Sequence, residues 1–244
     1  EKNLRGRVVL VGDSHIGSIA PFFKTWAKDE GFDFAISEWS GCQLILNMNR
    51  VSKNDFHPLQ NCNIKSQKMR LNFIENLKPS IVMMGGRLPL IIEEDKFDNK
   101  EGGYEGKMKD FLQNSSNSLT TLSDRQKAIQ KNYTLTINKI LDAGHTLVLL
   151  YPVPEVGVHV PKELLKKING KFLKARKAIR DDPVTTSYEV YKKRVEKSVR
   201  ILDGITENRI YRIKPSEIFC DSEIKGRCIT HNTEVSFYRD DDHL

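Results

Sequence analysis

The sequence predicts an α/β fold, a three-layer α/β/α sandwich built around a central parallel sheet. Short apolar runs rich in β-branched residues alternate along the chain with longer amphipathic stretches. Strands that alternate with helices require right-handed crossover connections, which make the strands parallel and cover both faces of the sheet. Because no internal repeat or low-complexity tract interrupts this order, we predict a single domain over residues 1–244.

The elements follow from the spacing of the apolar residues. Five apolar runs predict strands at residues 7–11, 32–39, 79–84, 146–151 and 209–213. Amphipathic stretches predict helices at residues 18–30, 123–143, 162–180 and 187–204. Two segments lack such periodicity, and we expect an irregular excursion over residues 43–70 and a surface insertion over residues 94–122.

The basic residues do not indicate a nucleic-acid partner, although the formal net charge is +7. They cluster within residues 162–180 and 192–200, where apolar residues recur every three or four positions between the lysines. The apolar positions of the first cluster are Leu164, Leu165, Ile168, Phe172, Ala175 and Ile179. This pattern is typical of the solvated face of a surface helix. No apolar run is long enough to span a membrane.

The four cysteines form two local pairs along the chain. Their even count fits two disulfides, Cys42–Cys62 and Cys220–Cys228, among three possible connectivities. Such disulfides indicate an oxidising compartment, whereas free thiols in the cytosol are the alternative. Neither pair has the spacing of a zinc site, so we expect no metal.

The residues that suggest chemistry all follow predicted strands. Ser14 follows the first strand, Gly86 and Arg87 follow a later one, and the segment Pro152–Pro154 follows another. In open parallel sheets, binding and catalytic sites form beyond the carboxyl ends of the strands. The sequence therefore predicts a site at this edge of the sheet.

Ser14 is the candidate nucleophile of that site. A hydroxyl at the start of a helix can simply cap the helix amides. It also lies at the positive end of the helix, where the amides can stabilise a developing oxyanion. A serine nucleophile needs a base, because its hydroxyl is protonated at neutral pH.

The end of the chain supplies a candidate base in Asp240-Asp241-Asp242-His243. Residues three apart on a helical turn face the same way. Asp240 can therefore accept a hydrogen bond from Nδ1 of His243 and orient the ring toward Ser14. The doublet Asp241-Asp242 is expected to face solvent or the amides of the tail.

Two sequence blocks resemble a known family. The segments Val9–His15 and Tyr238–Leu244 resemble the first and last signature blocks of the SGNH (GDSL-type) hydrolase superfamily, which has a flavodoxin-like sheet. The closer resemblance is to the SGNH domain fused behind the acyltransferase-3 membrane domain of bacterial surface-polysaccharide O-acyltransferases. Further similarities to that branch are Ser40–Cys42, Tyr151–Gly157, Val160-Pro161 and the pair Cys220 and Cys228.

The resemblance implies a role for each matching residue. Ser14 is the implied nucleophile, His243 the base and Asp240 the carboxylate that orients it. The amide of Ser14 and that of Gly41 are the implied oxyanion donors.

The third block of the superfamily departs from its pattern in this chain. It usually contains an Asn that donates to the oxyanion, and Arg87 follows Gly86 where that Asn is expected. Arg87 then stabilises the oxyanion or orients the acyl group, or it faces solvent. Gly86 belongs to the same block, and His15 either lines the substrate cleft or packs at the helix start.

The function implied by the resemblance is transfer of an acyl group, most simply acetyl, to a hydroxyl of a cell-surface polysaccharide such as lipopolysaccharide O-antigen. The donor would come from a membrane acyltransferase domain of the same longer chain, which places this domain in the periplasm, and no cofactor is expected. The alternatives are a carbohydrate esterase that uses water as the acceptor, and a non-catalytic glycan-binding domain.

Overall fold

In a computed structural model that describes residues 4–168 and 174–244, the chain forms a five-stranded parallel sheet and two small antiparallel sheets. The strands are β1 (Arg7–Gly12), β2 (Asp33–Glu38), β3 (Asn49–Ser52), β4 (Ile81–Met84), β5 (Asp110–Gln113), β6 (Thr146–Leu150), β7 (Thr185–Ser187), β8 (Ile210–Ile213) and β9 (Arg227–Ile229). The helices are α1 (Ser14–Asp29), α2 (Ile64–Glu75), α3 (Leu88–Glu93), α4 (Leu122–Asp142), α5 (Val160–Ile168), α6 (Ala175–Asp181), α7 (Tyr188–Asp203) and α8 (Ser216–Phe219).

The large sheet has the strand order β2-β1-β4-β6-β8, and every neighbouring pair is parallel. The chain runs outward from β1 to β2 and then crosses back to place β4 on the other side of β1. The connections after β1 and β4 therefore diverge, and in sheets of this flavodoxin-like order the crevice at that switch point is the usual ligand site.

Alternate residues of the strands pack on opposite faces of the sheet. Val9 and Val11 of β1 join a core cluster that includes Ile137 of α4, whereas Leu10 lies in a second cluster with Ile16 of α1. This period-two alternation is expected of a strand that is buried on both sides. Helices thus cover both faces, which confirms the predicted α/β/α sandwich.

The chain divides into two compact units. The first contains the large sheet and consists of the described residues up to Glu94, Met108–Tyr151 and Lys197–Ile213. The second consists of Asp95–Lys107, the described part of Pro152–Glu196, and Lys214–Leu244. The single-domain organisation stays a prediction.

The excursion predicted over residues 43–70 is more ordered than its sequence suggests. It contains β3 and the first half of α2. The buried face of α2 includes Gln67 and Arg70, which are less than 3% exposed. Because polar side chains occupy inward positions, the apolar period that would have revealed this helix is missing.

The surface insertion predicted over residues 94–122 is wrong. Its strand β5 pairs antiparallel with β3, and Phe111, Leu112 and Gln113 are buried. Phe97 is also buried, in the second unit. The Gly- and Asn-rich composition marks the turns of this segment and conceals its short strand.

The predicted helix over residues 162–180 corresponds to α5 and α6, and Phe172 of its apolar face lies outside the described residues. Leu165, assigned to the same face, is 64% exposed, whereas Ile179 is buried. Within residues 4–168 and 174–244, no helix combines the length and apolar content that a membrane crossing needs.

A buried ion pair stabilises the second unit. Arg194 of α7 donates to Glu155 at 2.8 Å, and their side chains are 9% and 1% exposed. Changing Glu155→Gln would leave a buried guanidinium without its counter-charge, so we expect the free energy of unfolding to fall by about 3–5 kcal/mol. Urea denaturation followed by circular dichroism measures this change.

The control for this prediction is Glu189→Gln, since Glu189 forms a surface pair with Lys192 on the same helix at 62% and 54% exposure. Exposed pairs contribute about 0.2–1 kcal/mol, so this variant should remain close to the unchanged protein. Equal losses of unfolding free energy in the two variants would contradict the prediction that the buried ion pair contributes more than the exposed one.

Candidate active site

The turn between β1 and α1 presents Ser14 at the first position of the helix. The N-cap is Asp13, whose Oδ1 accepts the His15 amide at 3.0 Å. Its carbonyl oxygen accepts the amide of Ile16 at 3.0 Å. The capping role that was the alternative for Ser14 therefore belongs to Asp13, and Ser14 lies at the positive end of α1.

Asp13 also connects this turn to the one that follows β4. Its Oδ2 accepts the amide of Arg87 at 2.9 Å, and Asp13 is 4% exposed. At the neighbouring Gly86, φ is +145°, and a Cβ atom would lie 2.8 Å from the Asp13 carboxylate. Only glycine fits this backbone and this approach, so the third block is tied to the first through one carboxylate.

The loop that contains Gly41 is held on several sides. The Gly41 carbonyl accepts a hydrogen bond from the Arg50 guanidinium. The next residue, Cys42, forms the disulfide with Cys62, and Gln67 donates to the carbonyl of Gln43 at 2.8 Å. Such fixation preorganises the backbone where the resemblance places an oxyanion donor.

Arg70 of α2 joins the carboxyl ends of β1 and β2, and the sequence did not indicate this role. Its Nη2 donates to the carbonyl of Gly12 at 2.8 Å and to that of Ser37 at 2.7 Å. Burial lowers the pKa of Arg70 to about 10, although the charges of Asp13 and Glu38 act to raise it. The guanidinium remains protonated at neutral pH, within the segment for which an irregular excursion was predicted.

The predicted pairing of Asp240 with His243 is present in the second unit. Nδ1 of His243 lies 3.0 Å from Oδ2 and 3.1 Å from Oδ1 of Asp240. When Nδ1–H donates to this carboxylate, Nε2 carries the lone pair that a general base requires.

Asp242 is a second carboxylate on the same nitrogen. It is 4% exposed, and its Oδ1 lies 2.8 Å from Nδ1 of His243. The expectation that Asp242 faces solvent or tail amides is therefore wrong. Asp242 is adjacent to His243 in the sequence, so it lacks the three-residue spacing that identified Asp240 as the partner of His243.

The charges of this triplet shift its pKa values. The hydrogen bond from His243 to Asp242 raises the pKa of His243, burial lowers it, and the charges of Asp242 and Asp240 raise it further, so that the net pKa is raised. Burial acts to raise the pKa of Asp240, but the hydrogen bonds from the His243 and Asp242 amides, together with the charge of His243, lower it, and the net pKa is lowered. Both shifts favour an imidazolium beside a carboxylate.

Main-chain hydrogen bonds hold the tail against the segment that follows β6. The amides of Val156 and Val160 donate to the carbonyls of Asp241 and Asp240, each at 3.0 Å. The buried hydroxyl of Tyr238 donates to the carbonyl of Pro154 at 2.7 Å. The segment that begins with Pro152–Pro154 is therefore the support on which the Asp240–His243 pair rests.

Three carboxylates of the tail, those of Asp240, Asp241 and Asp242, lie within 4.8 Å of one another, a spacing that could hold a cation. Two of them already contact Nδ1 of His243. Orientation of the His243 imidazole accounts for the positions of the Asp240 and Asp242 carboxylates.

The remaining predicted residues are placed as follows. His15 is buried at the start of α1, where its carbonyl accepts the Ser18 hydroxyl at 2.8 Å. The cysteines form Cys42–Cys62 and Cys220–Cys228, as predicted, and no free thiol remains among the four. The structure thus brings Asp240 to His243, and it connects Gly86 and Arg87 to the turn between β1 and α1.

A parallel sheet of flavodoxin-like order, with a serine after its first strand and an Asp–His tail motif, defines an α/β domain of the SGNH type. A family model described as "SGNH domain (fused to AT3 domains)" matches residues 2–244. The chain belongs to this family, whose members join a serine esterase- or acyltransferase-type domain to acyltransferase-3 (AT3) membrane domains. Comparison with curated proteins gives no match.

Proposed function

We propose that this chain is the serine-dependent domain of an O-acyltransferase that moves an acyl group, most simply acetyl, to a hydroxyl of a cell-surface polysaccharide. The hydrogen bond from Nδ1 of His243 to Asp240 carries the proposal, because it leaves Nε2 as a base. Family membership supports the reaction class, and the position of Ser14 at a helix start supports its role as nucleophile.

In the first half-reaction, Nε2 of His243 removes the proton of Ser14 as Oγ attacks the acyl carbonyl carbon. The bond between that carbon and the donor breaks, and the imidazolium returns the proton to the leaving group. The product is an acyl ester on Ser14, and the raised pKa of His243 favours the imidazolium that forms on the way.

In the second half-reaction, a sugar hydroxyl gives its proton to Nε2 of His243 and attacks the acyl-enzyme carbonyl. The ester bond to Ser14 breaks, Oγ regains a proton from the imidazolium, and the glycan carries the acyl group. The amides of Ser14 and Gly41 are the proposed oxyanion donors, and Arg87 takes the position of the usual Asn. Loss of one such donor costs about 100- to 1,000-fold in rate.

The acyl donor in this proposal comes from the AT3 membrane domain to which members of the family are fused. Disulfides persist in oxidising compartments, so the pairs Cys42–Cys62 and Cys220–Cys228 support an extracytoplasmic, periplasmic location. Acceptor and catalytic domain would then lie on the same side of the membrane.

The test uses cells that produce the complete protein with Ser14→Ala, in which proton NMR measures the O-acyl content of purified surface polysaccharide. We expect the acyl signals to disappear, with normal protein abundance on immunoblots. Full acylation in this variant would reject the proposal. With the isolated chain, transfer from an aryl acetate to a sugar should exceed hydrolysis as sugar is added, whereas hydrolysis alone would assign an esterase.

A further inference from the structure

A pocket of about 220 Å³ lies at the β2 edge of the large sheet in the first unit. We call it the β2–α2 pocket; it is lined by Ile36, Glu38 and Trp39 at the end of β2 and by Met69, Arg70 and Phe73 of α2. Glu38 pairs in register with Gly12, two residues before Ser14. The Trp39 amide donates to the Gly12 carbonyl at 3.2 Å, so the pocket wall is fixed to the end of β1.

The apolar part of the β2–α2 pocket is open to solvent. Ile36, Met69 and Phe73 are 42%, 56% and 44% exposed. Met69 and Phe73 are four residues apart and share one face of α2. Together with the half-buried indole of Trp39, they offer a ligand an apolar surface.

The polar part selects the charge of the ligand. Arg70 is 2% exposed, and its N–H groups donate to Gly12, Ser37 and Cys42, so they are occupied by protein oxygens. The Glu38 side chain lies beside Gly17 of α1, where a Cβ atom would be 3.1 Å from the carboxyl carbon, and Glu38 lines the pocket. Among the described residues, the pocket therefore has no accessible cation that could bind an anionic ligand. Its Glu38 carboxylate can accept hydrogen bonds from donor groups of a ligand.

A neutral ligand with hydroxyl groups and one apolar face satisfies both parts, and a sugar ring has this chemistry. An acyl chain would cover the carboxylate without replacing its hydration, which is costly. We infer that the β2–α2 pocket binds a sugar residue of the polysaccharide acceptor, with Glu38 accepting its hydroxyls and Trp39 packing against its ring. This inference rests on the proposed function, since the acceptor is part of that proposal.

The chain contains two tryptophans, Trp26 and Trp39, which makes the inference testable by fluorescence. In a Trp26→Phe protein, Trp39 is the only indole, and its emission is followed during titration with methyl glycosides of glucose, galactose, mannose, rhamnose and N-acetylglucosamine. We expect a saturable change with at least one glycoside. The matched Trp39→Phe protein, which keeps Trp26 on α1, should show none.

Glu38→Gln in the Trp26→Phe background should weaken the binding of that glycoside about tenfold or more, because hydrogen bonds to charged acceptors are the stronger ones. Glu30→Gln, on the surface beside Arg5, is its control. No response to any glycoside, or a response to decanoate alone, would overturn the inference.

Labelling of Ser14 by a fluorophosphonate separates this inference from the proposed function. If Ser14 is labelled and Trp39 does not respond, the pocket assignment fails and the serine enzyme remains. If Trp39 responds and Ser14 is not labelled, the acceptor pocket remains and the acyl transfer fails. A labelled Ser14 in each variant also shows that the protein has folded.

Discussion

Changing Ser14→Ala is expected to lower kcat for hydrolysis of p-nitrophenyl acetate by about 10⁴- to 10⁶-fold, as loss of a serine nucleophile does in other enzymes. The proposed mechanism has no covalent intermediate without Oγ, and the oxyanion donors alone supply the residual rate. The measurement is the initial rate of nitrophenolate release, together with labelling by a fluorophosphonate probe. Both signals should be lost while the thermal unfolding midpoint changes little.

The control for this prediction is Ser18→Ala, one turn further along α1. Its hydroxyl donates to the carbonyl of His15, a local helix bond that the proposed chemistry does not use. We expect this variant to keep its rate and its labelling. A similar loss in the two variants would indicate damage to the helix start, and full activity in Ser14→Ala would assign another nucleophile.

The double change Asp240→Asn and Asp242→Asn is expected to lower kcat by about 10⁴-fold, the effect of turning a triad carboxylate into an amide. Both carboxylates contact Nδ1 of His243, so each single variant retains one of them and should lose less. Asp240→Asn should have the larger single effect, because Asp240 also accepts the amides of Asp242 and His243. The kinetics of aryl acetate hydrolysis measure this order.

The pH dependence of the same variants has a defined sign. In the proposed mechanism His243 acts as a base only when neutral, so activity should appear as the pH rises through its pKa and be lost below it. The carboxylates raise this pKa. Their removal should therefore move the acid limb of kcat/KM to lower pH, while Asp241→Asn leaves it unchanged. An acid limb that stays in place would show that another group controls it.

The strands of the large sheet could be predicted because their chemistry is simple. The runs at β1, β4 and β6 are apolar on both faces, and burial on both faces is what a central parallel strand requires. The serine at the end of the first run and the Asp–His spacing at the tail were equally visible, because each is a local pattern of residue types.

The supporting residues could not be predicted, because their roles depend on distant contacts. Arg70 and Gln67 lie on the buried face of α2 among apolar residues, and single-sequence patterns assign such polar residues to solvent. Asp242 gains its role from the turn that brings it to Nδ1 of His243. In each case the deciding partner is a backbone carbonyl or a ring nitrogen, which no pattern of residue types identifies.

The attachment of the tail through backbone atoms has a consequence for diversification. The bonds from Val156 and Val160 end on the carbonyls of Asp241 and Asp240, and main-chain partners are common to all amino acids. The side chain at position 241 can consequently be exchanged without moving the imidazole that follows it. Proteins with different residues at this position should therefore keep the geometry of the Asp240–His243 pair.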